Sequence, residues 1–133
     1  MPATKLIDNE FLTMWYYPED KIIHHQFHQF LYGQAFQDAL SKGAAMFEKE
    51  GGKKWLSDDR KNGAVPPEDQ AWAQTNWFPR VKNAGLKYWA LVMPEKAIGQ
   101  MNMQRFVKQY SDQGITVQVF GEPDLALKWL KSV

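Results

Sequence analysis

KKWLSDDRKNGAVPPEDQAWAQTNWFPRVKNAG, residues 53–85, is where a short apolar run passes directly into clustered charge and then into a tryptophan-rich segment. Trp55 and Leu56 read as the end of a buried strand, and Asp58, Asp59 and Arg60 as the turn that emerges from it. Pro66-Pro67-Glu68-Asp69 reads as a helix start: a proline in the first turn loses no hydrogen bond, and acidic side chains there suit the helix dipole. Pro79 deprives the carbonyl of Thr75 of its donor, so the helix is expected to kink or split before Gly85 ends it. Strand, acidic turn and helix in that order make one α/β unit.

The same unit recurs on both sides. Toward the C-terminus, Leu86 to Met93 is a nearly unbroken apolar run stopped by Pro94, the pattern of a central strand covered on both faces. Ala97 to Tyr110 is helical in character, with Met103, Phe106, Val107 and Tyr110 on one face and an irregular start near Gly99, and Gly114 ends it. Ile115 to Phe120 reads as a strand, and Pro123 opens a last helix that docks through Ala126, Trp129 and Leu130. Toward the N-terminus, Phe36, Leu40, Gly43, Ala44 and Phe47 form a helical stripe closed by Gly51-Gly52. Gly43 and Ala44 let that helix approach a sheet closely, although Gly43 lowers helix propensity by about 1 kcal/mol. Phe11 to Tyr17 and Lys21 to Phe30, joined by Pro18-Glu19-Asp20, read as an antiparallel hairpin. The expected fold is α/β: about five strands in a mixed sheet, an N-terminal antiparallel hairpin followed by parallel βα units, with helices packed on it and no linker dividing residues 1–133.

Composition narrows the function classes. With 133 residues the chain is of single-domain size. It carries 16 basic and 15 acidic residues, a net charge of +1, with no basic run that would recruit nucleic acid. Cysteine is absent, which excludes disulfides, thiolate metal sites and cysteine nucleophiles. No segment has the roughly 20 apolar residues of a membrane span, and residues 1–11 lack an apolar signal-peptide core, so the expected location is cytoplasmic. Six tryptophans in an aromatic content of 14 % imply a bulky core.

The order of elements resembles the SpoIIAA-like fold shared by STAS domains. The phrases Trp55-Leu56-Ser57-Asp58-Asp59-Arg60, Glu68-Asp69-Gln70-Ala71-Trp72, Trp77-Phe78-Pro79-Arg80, Gly85-Leu86-Lys87 and Ala126-Leu127-Lys128-Trp129-Leu130 are similar to those of small bacterial proteins of that class, over nearly the whole chain from Phe11 onward. The resemblance implies a regulatory or binding domain and carries no assigned reaction. Anti-sigma-factor antagonists in the class have Asp-Ser-Ser-Gly, with a phosphorylated serine, where this chain has Ser57-Asp58-Asp59-Arg60, so no phosphorylation switch is carried over.

Candidate site residues follow from chemistry and placement. Open α/β sheets bind ligands beyond the carboxyl ends of parallel strands, which is where Asp58, Asp59 and Arg60 should lie. Paired carboxylates there can exchange protons or hold a cation, but spacing ties no base or nucleophile to them; the plain alternative is that the acids order the turn while Arg60 is solvated or pairs with Glu68 or Asp69. Trp72 is placed to border a pocket, with Arg80 beside it as an anion contact, whereas Trp77 and Val81 share a core stripe. His24, His25 and His28 invite a metal reading, yet on a strand His24 and His28 lie roughly 13 Å apart and His25 faces the other way, which leaves a partly exposed strand face. No zinc, phosphate-loop or nucleophile-elbow motif is present, and no cofactor is implied. The leading expectation is a non-catalytic binding domain acting on a protein partner or a small apolar molecule, with a homodimer compatible. Its rivals are a small enzyme using the Asp58, Asp59 and Arg60 turn, and a carrier of a lipid-like molecule.

Overall fold

The computed structural model describes residues 3–63 and 65–133. Its sheet has six strands in sequence order: β1 (Thr4–Asp8), β2 (Leu12–Tyr17), β3 (Ile22–Phe27), β4 (Lys54–Asp58), β5 (Tyr88–Val92) and β6 (Thr116–Phe120). The first two pairings are antiparallel, and β3 through β6 run parallel. The expected hairpin and parallel units are therefore present, and the strand count rises from five to six because TKLID pairs with β2 as an added edge. Its alternation is weak, and the pairing register slips between Lys5 and Ile7. The apolar run around Tyr88–Val92 is interior but penultimate, so the middle of the sheet falls at β3 and β4.

Successive parallel strands laid side by side require crossovers of one hand, which put the connecting helices on one face. Helix α1 (Gly33–Glu50), the helical stretch between β4 and β5, and α5 (Met103–Ser111) all share one buried core with Met14, Ile23, Trp55 and Trp89. A short α4 (Glu95–Gly99) precedes α5, whose start is capped by the Asn102 side chain accepting from the Arg105 amide. Helix α6 (Pro123–Ser132) has the opposite face to itself, over Ile22, Leu56, Ala90 and Val92.

The stripe on α1 buries Phe36, Ala39, Leu40, Gly43, Ala44 and Phe47, and Gly51 stops the helix in the left-handed region at φ 67°. Gly43 is the point of closest approach: a Cβ there would lie 2.7 Å from the Trp55 ring and 3.0 Å from Met14 Sδ. Between β4 and β5, α2 (Pro67–Trp72) passes through a π turn (Ala73–Trp77) into α3 (Phe78–Ala84). The Phe78 amide bonds the Ala73 carbonyl, five residues back, so the interruption expected from Pro79 takes the form of a widened turn.

Gly43→Ala tests that contact. Helix propensity alone favours alanine by about 1 kcal/mol, whereas crowding a buried indole typically costs 1–3 kcal/mol. The expected result is net destabilisation in urea unfolding; a variant more stable than wild type would show that α1 can lift from Trp55 freely.

Candidate functional site

Strand alternation gives the two adjacent acids opposite surroundings. Asp58 shares a face with Leu56, under α6, and is 1 % exposed. Its two oxygens accept from Arg60 Nε at 2.9 Å and Nη2 at 2.8 Å, a two-pronged grip. That bond holds the Arg60 pKa above its ordinary value, with Glu122 and Asp124 at the start of α6 adding to the effect. Arg60 thus pairs with Asp58, not with Glu68 or Asp69, and the buried Asp58 carboxylate has both oxygens engaged by it.

Asp69 is buried for another reason: its Oδ2 accepts the Gly33 amide at 2.9 Å, tying the start of α1 to α2. Beside it, the buried Asn62 side chain donates to the Leu31 carbonyl at 3.1 Å and accepts the Leu31 amide at 3.2 Å. Together Asn62 and Asp69 pin the connection after β4 to the segment between β3 and α1.

Asp59 turns to the other face. Its amide extends the ladder by donating to the Val92 carbonyl at 2.9 Å, and its Oδ1 lies 3.0 Å from His25 Nε2. His25 Nδ1 lies 3.1 Å from Trp55 Nε1. An indole nitrogen only donates, so Nδ1 is the acceptor and the ring proton resides on Nε2, donated to Asp59. The imidazole has no nitrogen left to serve as a base. Ser57 Oγ, directly across the β3–β4 pairing from His25, accepts from Trp89 Nε1 at 3.0 Å.

His25, Ser57, Asp59 and Trp89 line a cavity of about 210 Å³ with Phe27, Phe36, Leu40, Val65, Gln70, Ala73, Gln74 and Trp77. His25, Phe27, Phe36, Leu40, Ser57, Trp77 and Trp89 form a buried floor, while Asp59, Gln70 and Gln74 reach solvent at the rim. Trp77 stands edge-on to Trp55 and also borders a second cavity, with Ser41, Ala44, Trp72, Asn76 and Arg80. Its Nε1 has no hydrogen-bond partner among the described residues.

The expected site is therefore redistributed. Of the residues proposed from sequence, only Asp59 lines the aromatic cavity; Asp58 and Arg60 are committed to each other beneath α6. Trp72 and Arg80 border the second cavity, where Arg80 Nη2 donates to Glu48 at 2.8 Å. Those five residues do not converge. His25, Ser57, Trp77 and Trp89, which do, were legible as strand or core positions, but their convergence depends on cross-strand register. The partly exposed histidine face is also corrected: His24 and His25 are both buried, on opposite sides of the sheet, and His28 alone is exposed.

His24 packs against Trp15 with centroids 4.6 Å apart, and its Nδ1 is 3.1 Å from the Tyr17 hydroxyl. Burial, reinforced by His25 and opposed by Asp58, lowers its pKa to about 4. Among the described residues, no group of three or more histidine and acidic side chains is arranged to hold a metal ion. No helix there is long and apolar enough to cross a membrane. No family model matches the chain, and neither does any curated protein or solved structure.

Two predictions follow from these pairings. Arg60→Ala strands a buried carboxylate and should cost about 3 kcal/mol, more than Asp58→Asn, after which Arg60 can turn to water; equal losses in urea titrations would contradict the asymmetry. For His24, the unfolded ring takes a proton below about pH 6.5, while the folded ring resists until about pH 4. Its contribution is intact above that range and declines as pH falls through it, by up to about 3 kcal/mol. His24→Phe should flatten this part of the stability profile, and an unchanged slope would assign the acid sensitivity elsewhere.

Proposed function

We propose that the chain is a non-catalytic binding or regulatory domain of the SpoIIAA-like type, acting on a small, largely apolar molecule held in the cavity beside Asp59. The observation that carries this reading is the aromatic-floored cavity, open to solvent at its rim, at the carboxyl end of β4, where parallel sheets receive ligands. Resemblance in the order of elements supports the fold assignment, and the four parallel strands laid down in sequence agree with it. A phosphorylation switch finds no support, because Ser57 is 2 % exposed and its oxygen is engaged by Trp89.

Catalysis at the Asp58, Asp59 and Arg60 turn is disfavoured by the same bonds. The Asp58 and Arg60 charges satisfy each other, and His25 is held between an indole and a carboxylate with neither nitrogen directed at Ser57. A lipid carrier is disfavoured by size: about 150 Å³ accommodates one benzene, so about 210 Å³ is too little for an acyl chain with its head group.

Neutral single-ring probes such as toluene and indole test the cavity. Saturation at a hundred times Kd should stabilise the fold by about 2.7 kcal/mol, a rise in Tm of about 10 °C. Ala73→Phe, which fills the chamber from α2's continuation, should abolish the rise. No stabilisation by any neutral ring, or the same rise in the filled variant, would overturn the assignment.

A further inference from the structure

We propose that the cavity takes a protonated primary amine carried by a short arm on one aromatic ring, with the ammonium seated on Asp59 and the ring against the floor. This deepens the reading above and rests on it. Size sets the first limit. Benzene occupies a cavity of about 150 Å³, and the additional room in about 210 Å³ suits a two-carbon arm.

The rim then selects the head group. Asp59 Oδ1 receives the His25 proton, while Oδ2 has no partner among the described residues. The Gln70 amide nitrogen donates to the Val65 carbonyl at 2.7 Å, an acceptor only, which fixes the orientation of the amide and leaves Oε1 as an acceptor beside one remaining N–H. Gln74 donates from its nitrogen to the Tyr110 hydroxyl at 3.3 Å and has its carbonyl oxygen as an acceptor. The rim thus offers acceptors, one of them anionic, and no lysine or arginine lines the cavity among the described residues; the Arg60 guanidinium is paired with Asp58 on the other face.

An ammonium group has three donors and no acceptor, the complement of that rim, and indole and phenyl faces add attraction for a cation. A carboxylate or phosphate would meet Asp59 with like charge. A neutral alcohol would fill the same volume and donate one bond to Asp59, but it brings one donor where the ammonium brings three and lacks the positive charge, so it forgoes the Coulombic attraction of an ion pair.

Calorimetry on the full chain with 2-phenylethylamine, 2-phenylethanol and phenylacetate separates these cases at pH 7. The amine should bind about 10- to 100-fold more tightly than the alcohol, as the added Coulombic attraction of a partly screened ion pair warrants, and phenylacetate should bind weakest. Asp59→Asn retains an oxygen for the His25 proton and should fold as the wild type does by its melting curve, while losing the preference for the amine, so that amine and alcohol bind about equally. Equal affinities of amine and alcohol, or an amine preference that survives Asp59→Asn, would overturn the ammonium assignment and leave the apolar cavity standing. Failure of all three probes while toluene or indole still binds would overturn the ammonium assignment alone, and failure of every ring would overturn both. Should Asp59→Asn fail to fold, the ranking of the three probes on the unaltered chain decides the matter alone.

Discussion

The indole N–H of Trp55 is the constraint on which the site depends. Trp55 is fully buried on β4, and its ring is what α1 meets at Gly43, so the bulkiest side chain available stands where a helix has been thinned to receive it. A buried N–H must find an acceptor or forfeit its hydration. Here the acceptor is His25 Nδ1, and that one bond fixes the tautomer and the ring plane of the histidine. The opposite nitrogen is consequently a donor, aimed at Asp59. A packing decision in the core thereby becomes an electrostatic one at the rim. Trp89 repeats the arrangement one strand over, spending its N–H on Ser57 and fixing which atom of the hydroxyl is occupied.

The two faces of the sheet solve different problems. Three crossovers cover one face with aromatic side chains, whereas among the described helices α6 alone covers the other. Several polar groups remain beneath or beside it. Lys54, buried at the start of β4, places its ammonium against the carbonyls of Leu130 at 2.5 Å and Val133 at 2.6 Å, which would otherwise end α6 without donors. The Asp58 to Arg60 fork sits at the other end of the same helix, near Glu122 and Asp124. Charge therefore fastens α6 at both termini, while Ala126 and Leu130 supply its apolar contact in between.

Much of the fold was legible because its signals are local. The stripe from Phe36 to Phe47, the glycine stop at Gly51, proline at the start of α2 and α6, and apolar runs bounded by Pro94 and Gly121 each depend on spacing within a few residues. Pro79 also forecast an interruption, although sequence does not say whether a missing N–H will bend a helix or widen it into a π turn. β1 escaped notice because five residues with a shifted register offer little alternation to read. The site was far less legible. Asp58 and Asp59 are identical in type and adjacent in sequence, and only knowledge of which face each occupies distinguishes a buried structural ion from a group available to ligand.

That distinction comes from the pleat. Successive side chains leave a strand on opposite sides, and Asp59 continues the β4 ladder by one further bond to Val92, so the alternation persists past the last strand residue. Asp58 is carried beneath α6, where burial demands a full counter-charge, and Arg60 provides one within two residues. Asp59 is carried toward the crossover helices, where the histidine across the pairing offers a neutral N–H. A guanidinium fork quenches a carboxylate, whereas a single neutral donor positions one oxygen and leaves the negative charge to act on whatever enters the cavity. The aromatic floor lowers the local dielectric beneath that charge and lengthens its reach. The same turn therefore contains a clamp and a recognition group one residue apart, separated by the thickness of the sheet.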